Sequence, residues 1–88
     1  DMDVEIRALV QHPRHEDLRI TLTNPAGNEV LVFEAEPGSG ALELDGPLFG
    51  FSGDEDVNGA WTLRVVDSRS GSAGTLERWA VDVTSRWD

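Results

Sequence analysis

The strongest constraint in this 88-residue chain is the spacing of its apolar residues, which recur at every second position and nowhere at the 3.6-residue period of a helix. Leu18-Arg19-Ile20-Thr21-Leu22-Thr23 is the clearest case, with Leu18, Ile20 and Leu22 on one face of an extended strand. The same alternation from Val4 to Val10 predicts a first strand over about 3–11. It returns in Trp61, Leu63 and Val65, and again in Trp79, Val81 and Val83. Pro and Gly mark the breaks. Pro13 has no N–H to give to a ladder, so His12-Pro13-Arg14-His15-Glu16 ends the first strand. Asn24-Pro25-Ala26-Gly27 has the residue preferences of a type I turn, and joins 18–23 to Val30–Phe33 as an antiparallel hairpin. Residues 34–59, with Pro37, Pro47 and repeated Gly, read as a looping excursion with short extended pieces near Leu42–Leu44 and Leu48–Phe51. The expected fold is all-β, an antiparallel β-sandwich, and residues 1–88 form a single domain.

Charge narrows the partners. Seventeen acidic side chains stand against seven basic ones, all Arg and none clustered, for a formal net charge of −10. Such a surface repels phosphate backbones and anionic lipid, which argues against nucleic acid and membrane surfaces as partners. The longest apolar run, Val30 to Phe33, is far short of the ~20 residues that a membrane-spanning helix needs. There is no Cys, hence neither a disulfide framework nor a thiolate metal site. The opening Asp-Met-Asp lacks the basic and apolar regions of a signal peptide, and reads as a piece of a longer precursor.

Reactive groups are scarce. None of the Ser residues sits in a Gly-x-Ser-x-Gly elbow, and both His flank Pro13 in one short loop, so a Ser-His-Asp arrangement is not expected. His12 and His15 read as a loop-exposed or backbone-bonded pair rather than zinc ligands. Gly38-Ser39-Gly40 opens no helix and has no following Lys, so it is a poor phosphate cradle. Calcium is the one metal with candidate ligands: Asp54 and Asp56 in an acidic loop, with Asp17 and Asp67 at strand edges. The loop is no EF-hand, because Val65 falls where the bidentate Glu would stand. Asp67 is also placed to order the 67–74 turn by accepting backbone N–H bonds.

Three stretches, in order and at their spacing, resemble the P domain (P/Homo B domain) of kexin- and furin-like proprotein convertases and bacterial secreted proteases. The first is His12, then Asp17-Leu18-x-Ile20-x-Leu22 and Asn24-Pro25-x-Gly27. The second is Gly59-x-Trp61-x-Leu63-x-Val65-x-Asp67, and the third Gly71-x-x-Gly74-x-Leu76-x-x-Trp79. The resemblance implies a jelly-roll, galactose-binding-like sandwich that packs against and stabilises the subtilisin-like catalytic domain of a serine endopeptidase. It also implies a secreted or extracellular location and no catalytic residue in this segment. Glu16 departs from the family's usual Gly, and Ala41-Leu42 stands where relatives often carry Asp-Asn, which removes oxygen ligands from that loop.

Within such a domain Leu18, Ile20, Leu22, Leu63, Val65 and Val81 are the expected core, with Trp61 and Trp79 as its anchors. Each indole buries ~150–250 Å², so truncation to Ala is expected to cost roughly 3–5 kcal/mol. Trp87 lies beyond the last strand as a linker residue or an interface anchor. An alternative function is a carbohydrate- or protein-binding module using loop 45–58, cued by Phe49 and Phe51 beside the acidic run. The isolated domain is expected to be monomeric.

Overall fold

The computed structural model describes residues 2–51, 59–68 and 74–85. Among the described residues six strands follow one another: β1 Met2–His12, β2 Leu18–Thr23, β3 Glu29–Glu34, β4 Gly40–Leu48, β5 Thr62–Asp67 and β6 Thr75–Ser85. A single 3-10 turn, His15–Asp17, lies between β1 and β2. The strands form two antiparallel three-stranded sheets, in the orders β4-β1-β6 and β3-β2-β5. The all-β sandwich expected from the alternation is the fold observed.

The central strand of each sheet supplies the core. Val4, Ile6, Ala8 and Val10 on β1 are buried, as are Leu18, Ile20 and Leu22 on β2. Val10, Leu18, Ile20 and Phe33 form one cluster, against which Val32, Leu42, Leu44, Leu63 and Val65 pack. Ile20 and Leu22 are wholly enclosed, each worth about 1.5–3 kcal/mol of apolar transfer. The hairpin turn is as expected: the Gly27 N–H donates to Asn24 O at 3.0 Å, and Asn24 Oδ1 accepts from the Asn28 N–H at 2.9 Å.

Three expectations are corrected. Residues 40–48 form one continuous strand rather than short pieces in a loop, because Gly46 and Pro47 sit on an outer strand, where half the backbone N–H groups need no partner. The indoles are less central than expected: Trp61 is half-buried, and Trp79 keeps 36% of its surface exposed. Trp79 is on the right face, opposite Ala8, but β6 is an outer strand among those described, and a side chain there has neighbours on one side only. Val81, opposite Ile6, is half-buried for the same reason. Finally, the histidine pair is backbone-bonded, as one of its two readings had it, and not loop-exposed: His12 is 4% and His15 5% accessible, His12 Nδ1 accepts from the Arg14 N–H, and His15 Nε2 faces Gly40 O.

Two bulges shift the alternation. On β3 the partners jump from Ile20↔Phe33 to Thr21↔Leu31, so Val32 is extra and both Val32 and Phe33 turn inward. On β6 the jump from Leu9↔Arg78 to Val10↔Leu76 leaves Glu77 extra, and brings Leu76 to the same face as Trp79.

Candidate functional site

Four of the motif residues, His12, Asp17, Asp67 and Gly74, meet at one end of the sandwich. β1 ends at His12, and Pro13 turns the chain into the 3-10 turn that carries Asp17; β5 ends at Asp67, opposite Leu18. The register therefore places Asp67 beside Leu18 at the start of β2, forty-nine residues away in sequence.

His12 is the centre of the arrangement. Its Nδ1 accepts the backbone N–H of Arg14 at 3.0 Å, which assigns the ring proton to Nε2. Nε2–H then donates to Asp67 Oδ2 at 2.8 Å. The imidazole is 2% exposed and the Asp67 side chain 26%. With both nitrogens engaged, the ring has none free to take a proton from a nucleophile, although it carries the imidazole–carboxylate pairing of a hydrolase.

Asp17 is bound twice over. The Arg14 Nε–H donates to its Oδ2 at 3.2 Å, and its backbone carbonyl accepts the Ser68 N–H at 2.8 Å. Arg14 thus ties His12 through its backbone and Asp17 through its guanidinium. Gly74 closes the other side: a β-carbon on it would stand 2.7 Å from His12 Cδ2 and 2.5 Å from Gln11 O. His15 extends the network to the far loop. Its backbone N–H donates to Gly38 O at 2.9 Å, Nε2–H donates to Gly40 O at 3.0 Å, and the ring lies flush on Gly38.

His12, Asp17, Asp67 and Gly74 therefore come together at this end of the sandwich. Pro25 and Gly59 form a separate contact, where a β-carbon on Gly59 would lie 3.2 Å from Pro25 Cβ. Trp61 meets Phe51 edge-on, with ring centroids 5.4 Å apart, which places Phe51 in packing rather than in a binding platform. Asp54, Asp56, Gly71 and Trp87 lie outside the described residues. Sequence reasoning missed Arg14, which acts partly through its main chain, where no side-chain pattern reveals it. His15 is backbone-bonded, one of the two readings its sequence position offered.

Among the described residues no group of three or more His, Asp or Glu is placed to hold a metal, and Asp17 and Asp67 are held by Arg14 and His12. A cleft of about 220 Å³ beside the network, lined by Val10, His12, Leu18, Asp67 and Leu76, is smaller than an ordinary small-molecule site. Its walls are strand ends, and His12 and Asp67 within it are bonded to each other.

What the fold and this network define is a β-sandwich module in which His12, Asp17 and Asp67 are tied to Arg14 and to one another's elements at one end. The family model for the proprotein convertase P-domain matches residues 2–83, nearly the whole chain, and the chain belongs to that family. P domains are non-catalytic accessory domains of proprotein convertases, and their typical setting is extracellular or in the secretory pathway. No curated protein and no solved structure matches it significantly. Among the described residues no helix is long and apolar enough to cross a membrane.

Proposed function

We propose that this chain is the accessory domain of a secreted, subtilisin-like serine endopeptidase, and that it packs against the catalytic domain of the same precursor and stabilises it. The observation that carries the reading is the use made of His12. The His12–Asp67 pair, a buried imidazole on a partly exposed carboxylate, is the part of the described sandwich nearest to catalytic machinery, and the two ring nitrogens bond Arg14 in loop 12–17 and Asp67 on β5. Such a domain contributes a surface to its partner and leaves the chemistry to it.

The test is expression of the precursor with and without residues 2–83. Loss of the segment is expected to lower the yield of mature protease and its half-life at elevated temperature. A truncated precursor that matures fully and inactivates at the rate of the intact one would refute the reading.

A further inference from the structure

We infer that the free edge of β6 pairs with β6 of a second copy of this chain, antiparallel about a two-fold axis at Ala80, so that Arg78 of each copy faces Asp82 of the other. The inference goes beyond the proposed function and does not rest on it. The expectation of a monomer was formed without the strand order, and it is that order which leaves β6 at an edge.

β6 is eleven residues long and, among the described residues, pairs with β1 alone. Half of its backbone N–H and C=O groups therefore point away from the sheet, the arrangement onto which another strand adds. The other edges are less open. β4 carries Gly46 and Pro47, and β3 and β5 have six residues each, whereas β6 contains neither Gly nor Pro. Its apolar face is also poorly covered: Leu76 keeps 38% and Trp79 36% of its surface in solvent, although the β1 residues on that face are buried.

Register decides the partner. Opposed residues of an antiparallel pair share a face, so a strand attracts its own copy through charge only where opposite charges stand an even number of positions apart. Arg78 and Asp82 do, with Ala80 midway. Pairing about Ala80 sets Arg78 against Asp82 twice on the outer face, and Trp79 against Val81 twice on the apolar face, with only the small Ala80 methyls meeting at the axis. The bulge at Glu77 lies outside residues 78–82. Arg78 is exposed and, among the described residues, forms no hydrogen bond or ion pair; Glu43 and Asp45 share a cleft with it without reaching it. Asp82 accepts from Arg7 through Oδ2, and a carboxylate has sites for a second donor. None of the other three described edges is self-complementary. β3 and β4 carry only acidic charges, and Arg64 and Asp67 of β5 lie on opposite faces. The two-fold axis closes the contact at two chains.

Sedimentation of the 88-residue chain over a rising concentration series is expected to show a monomer–dimer equilibrium and nothing larger, and the precursor that contains it should show the same. A single chain at every concentration up to about 1 mM would overturn the inference, as would growth beyond two. Arg78→Asp and Asp82→Arg each set like charges opposite one another at both symmetric positions, and each alone should raise the dissociation constant roughly tenfold or more. Mixed one to one, the two variants should associate about as tightly as the wild type, because in the mixed pair every charge faces its opposite again. Each substitution moves the formal charge of −10 by two, so both chains remain strongly acidic and global attraction cannot bring them together. The denaturation midpoint of each variant reports its fold, and the wild-type series stands without them. A wild-type dimer that R78D leaves intact, or variants that keep the wild-type midpoint and fail to associate on mixing, would place the contact elsewhere and overturn the inference. A precursor that stays single while the 88-residue chain pairs would give the edge to another segment of the precursor and overturn it equally.

Discussion

Gly74 lies against the edge of the His12 ring, in a space that a single added carbon would fill to within 2.7 Å of Cδ2. The two residues are sixty-two positions apart, and their contact joins the end of β1 to the start of β6 outside the ladder between those strands. Gly74 is thus required for its missing side chain.

Gly74→Ala is therefore expected to destabilise the domain by about 1–3 kcal/mol, the usual cost of forcing extra volume into a packed site. The chemical-denaturation midpoint would measure it. Because one of the two close atoms belongs to the His12 ring and the other is Gln11 O, adding His12→Ala should recover part of the loss and no more. Full additivity of the two substitutions would show that the ring is not what G74A strikes.

The His12–Asp67 bond makes its own prediction. Asp67→Ala leaves a buried Nε2–H with no acceptor, at a cost of roughly 1–3 kcal/mol. His12→Ala removes the donor from a carboxylate that still reaches water. A double-mutant cycle should give a coupling of about 0.5–3 kcal/mol, since the groups touch at 2.8 Å. Zero coupling in denaturation would mean that the bond does not hold the two elements together.

How much of this was legible differs from residue to residue. Leu18, Ile20 and Leu22 could be placed in the core from their period alone, because a central strand is covered on its inner face along its whole length. The turn at Asn24-Pro25-Ala26-Gly27 was equally open, since local preferences decide it. Val32 and Leu76 were not, because a bulge changes which face a residue takes, and the extra residue is defined only by the partner strand. Gly46 and Pro47 misled for a similar reason: whether they break a strand depends on its place in the sheet. In the network, Asp17 and Asp67 each meet a protein donor through Oδ2, Arg14 for the one and His12 for the other, and that pairing could not be read from their positions at strand edges. Acidic residues at strand edges look alike in sequence whether a cation, a guanidinium or an imidazole faces them.

The surface ion pairs set a baseline. Arg7 donates to Asp82 Oδ2 at 2.9 Å across β1 and β6, with the two side chains 67% and 54% exposed. That hydrogen bond, with the nearby Asp82 and Asp45 charges, raises the Arg7 pKa further, so the guanidinium stays charged at any working pH. Exposed pairs of this kind are screened and cost side-chain freedom to hold. Arg7→Ala is expected to leave the denaturation midpoint unchanged at physiological salt. A clear loss would place this outer face in a structural role that its exposure does not suggest.

The last prediction ranks the core against the indoles. Leu22 is fully enclosed on a central strand, and truncation to Ala leaves a cavity that its neighbours cannot collapse into, so Leu22→Ala should cost about 2–5 kcal/mol. Trp79 is the larger side chain, and area alone would make it the costlier loss. With 36% of its surface in solvent on an outer strand, however, its truncation empties a space that water already reaches from one side. Trp79→Ala should therefore fall below the roughly 3–5 kcal/mol of an enclosed indole and below L22A measured in the same buffer. The comparison needs only two denaturation curves, read with equal slopes so that midpoints convert to free energies. If W79A proves the more damaging, the weight of this sandwich rests on β6 and the indole, and its inner strands matter less than their burial indicates.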